Sequence, residues 1–313
     1  MIDISVIVLI YNSKEEDLRL TLDSVLAQKN VAYEIVLADD ASETSALEYA
    51  RTYLDSKGCK DYKISSHDKN VGTVRNVYDA LGVATGRFVK LIGAGDALFL
   101  DNTLSRVVQY MKNRALIMCF GKMKGFVKKE GTYEYSSIAL PYDIVAFEKR
   151  DMKRIRRNIL ANHGWIVGAS MFFSRKEFRQ YLSEFVDKVI YCEDLIQTVV
   201  LLKTDKVGYY RDAVVYYESS GGISTSQNQA ARTRMMNDVR ALKKLLIQNY
   251  KDNPLIRRGN DMFKWQLIEN TRERQTRIFY GNPSYVAMLM RSLMQRHHYQ
   301  VDKKGLIERR IIG

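Results

Sequence analysis

The feature that most constrains this chain is an alternation running through its first hundred residues. Short apolar, β-branched runs at 5–10, 34–38, 62–66 and 87–92 take turns with longer stretches at 15–28, 42–54 and 71–81. In the longer stretches the apolar residues recur every three or four positions, as Leu18, Leu22, Val25 and Leu26 do in the first. The short runs cannot make a helix and suit strands buried on both faces, whereas each longer stretch presents one apolar stripe. Acidic Glu15, Glu16 and Asp17 open the first of these, where the helix dipole favours them. Strand–helix alternation of this kind builds an α/β fold with a mostly parallel sheet flanked by helices.

Such a sheet has a preferred ligand edge. Tyr11, Asn12, Asp39, Asp40 and Asp96 all fall just past the carboxyl ends of predicted strands. Loops converge on a crevice there, so open α/β sheets bind ligands at that edge.

The middle of the chain is less regular. Helices are expected at 103–112 and 192–202, and strands at 115–120, 167–173 and 207–217. A nine-residue segment, KRDMKRIRR (149–157), is densely basic. The loop Ser219-Ser220-Gly221-Gly222-Ile223-Ser224 closes the α/β part, and from about Gln227 the pattern turns helical. There Met235, Met236, Val239, Leu242, Leu245 and Leu246 form one stripe opposite Arg240, Lys243 and Lys244. The expected division is 1–226, split at about residue 100, followed by a basic helical region at 227–313.

Charge narrows the choice of partners. The 313 residues carry a net +13, yet residues 227–313 hold 18 Lys/Arg against 7 Asp/Glu, which is +11 of it. A near-neutral body thus bears a basic extension whose partner should be anionic: nucleic acid, a lipid surface or a phosphorylated substrate. Three scattered cysteines make no disulfide framework or metal pair and fit a reducing cytosol. The opening MIDISVIVLIYN does not read as a signal peptide, and no apolar run approaches the ~20 residues of a membrane span. Four histidines show no HExxH spacing, and neither GxSxG, Walker A nor a GxGxxG after the first strand is present. That removes most hydrolases, P-loop kinases and the usual dinucleotide enzymes.

In order along the chain, SVIVLIYN, LRLTLDSVLAQ, YEIVLADDAS, KNVGTVRNVYDAL and GRFVKLIGAGD resemble the donor half of family 2 glycosyltransferases of bacterial polysaccharide type. GASMFFSRKEF, the CEDL of 192–195 and YYESSGGIS are similar to later landmarks of that family. The resemblance covers residues 1–226 and implies a GT-A (Rossmann-like) fold with a C-terminal helical extension. It implies an inverting hexosyltransferase that uses a nucleotide-sugar, most simply a UDP-sugar, and a carbohydrate or lipid-linked saccharide acceptor.

Residue by residue, the resemblance assigns Tyr11 to stacking on the base, Asp40 to accepting the uracil N3–H and Arg75 to the base carbonyls. The plain alternative is that Tyr11 packs, Asp40 caps the next helix and Arg75 is a surface charge. Asp96 falls where the family binds Mn²⁺ or Mg²⁺ on the donor diphosphate, but Gly95 and Gly93 stand where acids are common, so GAGD can equally be a tight turn. Asp194, with Glu193 alongside, falls at the family's catalytic base; an acidic pair also suits a helix start without any catalysis. Trp165 and Ser224 are weaker acceptor-side candidates, since an aromatic ring suits a sugar face.

The sequence therefore predicts a cytoplasmic enzyme of cell-surface polysaccharide or glycoconjugate synthesis, peripheral on the inner face of the membrane through 227–313. The Met/Leu stripe can instead build a homo-oligomer or pack on the body. Two other readings stand beside it: a degenerate relative that binds sugar nucleotides without turnover, and a nucleic-acid-binding protein, though no nucleic-acid signature is present.

Overall fold

Ile4–Ile10 is apolar on both faces and forms β1, the centre of the parallel half of the sheet. It pairs in parallel with β2 (Tyr33–Asp39) and β4 (Phe88–Gly93), and β2 pairs with β3 (Tyr62–Ser66). The crossovers are α1 (Glu15–Leu26), α2 (Ala46–Ser56) and α3 (Thr73–Val83), each on its expected stretch. Beyond β4 the sheet becomes mixed. The remaining strands are β5 (Ala97–Leu98), β6 (Met118–Lys129), β7 (Thr132–Ser137), β8 (Met171–Ser174) and β9 (Val207–Glu218). The order is β3-β2-β1-β4-β8-β6-β9-β5, with β7 paired to β6. The computed structural model describes residues 1–129, 132–220 and 229–309.

Helices cover both faces. On one side α1, α2 and α4 (Thr103–Asn113) pack Leu18, Leu54 and Leu104 against Val6 and Ile35. On the other, α3, α7 (Arg175–Leu182) and α8 (Ile196–Lys203) pack Val77, Phe178 and Ile196 against Ile7 and Val36. Two short helices, α5 (Ile144–Glu148) and α6 (Met152–Arg156), lie between β7 and β8. Arg154, from the basic segment, is turned inward onto the fully buried Asp143 at 2.5 and 2.8 Å, so part of that cluster is structural.

Four helices follow: α9 (Gln229–Asn249), α10 (Pro254–Gln266), α11 (Thr271–Gly281) and α12 (Pro283–Met294). Asn253, Asn270 and Asn282 cap the last three with their side-chain oxygens, and Pro254 and Pro283 occupy first-turn positions that need no N–H. The α9 stripe belongs to the core of the body: Leu242 and Leu246 are buried in the same cluster as Ile7 and Val36. The apolar surface left open lies instead on the last two helices, where Phe279, Tyr280, Met290, Leu293 and Met294 are exposed. Among the described residues no helix is long and apolar enough to cross a membrane.

Three local expectations change. Residues 168–170 form a 3₁₀ turn and only Met171–Ser174 is strand, because Gly168 is pressed against Asp194. The helix expected from residue 192 begins at Ile196, after a 3₁₀ turn over Glu193–Leu195. Here the Gln197 amide donates to the Asp194 carbonyl at 2.9 Å and to Ile166 O at 3.0 Å. Strand β7 was not expected: its signal is the alternation of Tyr133 and Tyr135, whose rings meet Phe126 and Tyr216 while all six residues stay exposed.

Candidate active site

Four strand ends build the ligand edge. Past β1, Tyr11 stands about half exposed, its ring free of stacking partners among the described residues. Asn12 sits in the left-handed region (φ 49°) and accepts the Glu43 N–H at 2.8 Å, tying the β1 and β2 loops together. Asp39 holds the same loop through Ser42, whose Oγ and N–H donate at 2.6 and 3.1 Å. The buried Asp40 accepts the N–H groups of Val71 at 2.7 Å and Gly72 at 3.0 Å. It therefore pins the loop before α3 rather than capping α2. Arg75 pairs with Asp187 and lies 5.6 Å from the Tyr78 ring, so its charge is already answered.

The turn after β4 is set by Thr21 of α1. Its hydroxyl donates to Asp96 O at 2.7 Å and accepts the Gly95 N–H at 3.0 Å. Gly95 has φ +99°, a conformation glycine adopts without the strain a side chain would bring. Backbone geometry thus accounts for the glycine where the family often has an acid. Asp96 is buried and accepts the Glu218 N–H at 2.9 Å, which joins the turn to the end of β9.

Lys90 comes to this turn from below. It is fully buried in β4, donates to Leu91 O at 2.6 Å and Ala169 O at 2.5 Å, and lies 5.2 Å from the Phe172 ring. Burial lowers its proton affinity, while the charges of Asp96 and Glu193 oppose that. Asp96 and Glu193 respond in the opposite sense: burial raises both carboxyls, and the Lys90 ammonium holds the rise back. One ammonium therefore couples the β4 turn to the Glu193–Asp194 turn.

Asp194 is raised well above the usual carboxylate range, first by burial and then by the charge of Glu193. Donation from the Trp165 side chain and the Gly168 N–H opposes the rise. A Cβ on Gly168 would stand 3.0 Å from the Asp194 Cβ and 3.1 Å from Glu193 Oε1, so a larger residue would press the acidic pair out of place by a few tenths of an ångström. The arrangement is a half-buried carboxylate of raised proton affinity, a form suited to taking a proton.

The structure thus brings Glu193, Asp194 and Trp165 together and links them to Asp96 through Lys90. Tyr11 and Asp40 lie at the neighbouring strand ends. Ser224 lies outside the described residues. Lys90, Gln197, Thr21 and Asp238 were not singled out in the sequence. Lys90 had a signal, a lysine in the middle of a doubly buried strand. Asp238 had none: it reaches from α9 to accept the N–H groups of Ile190, Tyr191 and Cys192 at 3.0, 2.6 and 3.0 Å.

A divalent cation finds a poor set of ligands here. Gly93 and Gly95 offer no side chain, one Asp96 oxygen already accepts the Glu218 N–H, and the Lys90 ammonium opposes a second cation. Among the described residues no three His, Cys, Asp or Glu side chains gather to hold an ion. These residues do not fit a protein-built metal cage.

A family model described as "Glycosyl transferase family 2" matches residues 5–182. No curated protein matches the sequence. Among solved structures, S. aureus TarS 1–349 in complex with UDP-GlcNAc is similar at TM-score 0.56 and 17% identity, covering 96% of this chain and 82% of that one. A mannosyltransferase, PcManGT from Pyrobaculum calidifontis in complex with GDP-Man and Mn²⁺, aligns at TM-score 0.54 and 14% identity, covering 94% and 86%. Both neighbours are GT-A glycosyltransferases, and the mixed nine-stranded sheet with flanking helices is that fold.

Proposed function

The chain belongs to glycosyl transferase family 2 and is a glycosyltransferase; from that premise we propose that it transfers a hexose from a UDP-sugar to a carbohydrate acceptor with inversion. The observation that carries this reading is the placement of Asp194, a half-buried carboxylate held against Gly168 and Trp165 in the turn before α8, with its proton affinity raised by burial. Its Oδ takes the proton of the acceptor hydroxyl as that oxygen forms its bond to C1. The bond from C1 to the diphosphate oxygen breaks on the opposite face, and the nucleoside diphosphate leaves with the electron pair. No covalent enzyme intermediate is needed.

Other residues serve this step by placement. Trp165 orients Asp194 and offers a ring to the acceptor sugar. Tyr11 supplies a flat wall for the base, Asp40 an acceptor for the uracil N3–H, and Arg75 a donor to the base once released from Asp187. Asp96 faces the ribose and diphosphate, and Ser224 belongs to a loop that meets the acceptor. Lys90 is a positioning residue: its charge opposes the rise that burial imposes on Glu193 and Asp96 and ties the two turns together. Were a divalent cation to bind with the donor diphosphate, Asp96 would be its protein ligand, and the ion would neutralise charge on the leaving group. The exposed apolar residues of α11 and α12, with exposed Arg272 and Arg296 beside them, support docking on an anionic membrane surface.

A panel of UDP-, GDP- and dTDP-sugars, with and without Mn²⁺, tests the donor reading by thermal shift. A ligand that binds only the folded state raises its melting temperature. Stabilisation by the UDP series alone is expected; stabilisation by another series would overturn the donor assignment.

A further inference from the structure

A cavity of about 400 Å³ lies between the catalytic body and the C-terminal helices α9 and α10. That is within the ~300–1,000 Å³ range of small-molecule sites. Its walls are mainly apolar, with Leu160, Leu242, Leu246 and Phe263 among them, and it is also lined by Trp165 and Lys243. One wall is rigid, because a Cβ on Gly259 would lie 2.1 Å from Leu160 O; α10 has no room to close further.

Two observations say what such a cavity would hold. Trp165 lines it and also faces Asp194, so the cavity and the catalytic carboxylate share one indole. Lys243 is the second. Its Nζ lies 2.7 Å from His163 Nε2 and donates to Gly259 O at 3.3 Å, a carbonyl that His163 Nε2 also meets at 2.7 Å, and no described carboxylate pairs with it. Burial pulls it down to about 8, and burial with the Lys243 charge pulls His163 down to about 4, so the imidazole beside it is neutral and brings no counter-charge. A lysine charge in apolar surroundings without an anion is costly to maintain. An anionic group on an apolar ligand would complete it.

We propose that this cavity takes the aliphatic chain of an acceptor carried on a lipid phosphate, with the phosphate at Lys243 and the saccharide against Trp165 and Asp194. The inference rests on the acceptor-side reading above, and it names the class of acceptor. The parts of the site match the parts of the ligand: an apolar chamber, a cation at its wall, and an aromatic ring beside the base.

The test uses the full chain and dodecyl phosphate below its micelle concentration, followed by titration calorimetry. Dodecanol and inorganic phosphate are separate arms. Saturable binding of dodecyl phosphate is expected, weakened at least tenfold by Lys243→Met, while dodecanol binds equally to both proteins. Inorganic phosphate should not compete. Leu246→Trp and, at a half-buried wall position, Met236→Trp should each abolish binding by filling the chamber. Binding insensitive to Lys243→Met, or to both tryptophan variants, would overturn the proposal, as would a chamber already closed by another part of the chain so that nothing binds. UDP-sugar affinity is measured on the same samples. Its loss in the wild type would count against the donor reading and leave the cavity result standing.

Discussion

The Asp238 carboxylate on α9 accepts the backbone N–H of Cys192 at 3.0 Å, one residue before the Glu193–Asp194 pair. The same carboxylate takes the N–H groups of Ile190 and Tyr191, so three consecutive donors of the catalytic strap end on one side chain from the C-terminal helices. Although it carries most of the excess charge, this region reaches the candidate site and fixes the strap that bears the proposed base.

Substituting Asp238→Ala leaves those three N–H groups without their acceptor. The three donors are only partly buried, but a strap that loses three fixed hydrogen bonds at once is expected to reorganise. Turnover should fall tenfold or more while the KM for donor changes little. A variant with unchanged kcat would show that the strap holds its shape without α9.

Activity should climb with pH through the raised range of Asp194. A protonated carboxyl cannot act as base, so an elevated affinity moves the acid limb of kcat above that of an ordinary carboxylate. Stability should move oppositely. A carboxyl whose folded-state pKa is raised stabilises the fold fully below its unfolded value, near 4, and loses that contribution as pH rises through the folded one. Melting temperature should therefore decline over the interval in which activity appears, and Asp194→Asn should flatten both trends. Parallel curves would contradict the assignment.

Lys90→Met replaces a buried ammonium with an apolar side chain of similar length. Without that charge Glu193 binds its proton more tightly and loses the negative charge that raises Asp194, so the acid limb of the kcat profile is expected at lower pH. A loss of stability alone, with the profile unmoved, would make Lys90 a purely structural tie between β4 and the 168–170 turn.

Met290, Leu293 and Met294 share one face of α12 at i, i+3 and i+4 spacing, and Phe279 and Tyr280 are exposed at the end of α11. Flotation with anionic vesicles should drop severalfold in the double variant Phe279→Ser, Tyr280→Ser, and in 0.5 M salt. Equal flotation of wild type and variant would remove these helices from membrane docking.

The parallel half of the fold was legible because its strands are doubly buried and their alternation with amphipathic helices leaves few topologies. The site was legible where residues follow strand ends: Tyr11, Asp40 and Asp96 sit at the edge the pattern indicates. It was not legible where a role depends on contacts distant in sequence. Asp238 serves a strap 46 residues away from it, and Arg75 meets a partner 112 residues on. Gly95 invited a reading through the acid it replaces, whereas its positive φ and the Thr21 contacts give it a backbone role. The stripe of α9 had the period of a membrane-facing or dimer-forming helix, and only packing shows that the body covers it.

The central claim, that Asp194 is the base, is tested most directly by Asp194→Asn assayed for transfer and for UDP-sugar binding on the same protein. The asparagine keeps shape and hydrogen bonding but cannot accept the hydroxyl proton. Transfer should fall at least a hundredfold, in line with the roughly 10²–10⁴-fold contribution of a positioned base, with donor affinity within twofold of wild type. Turnover at the wild-type rate would contradict the account.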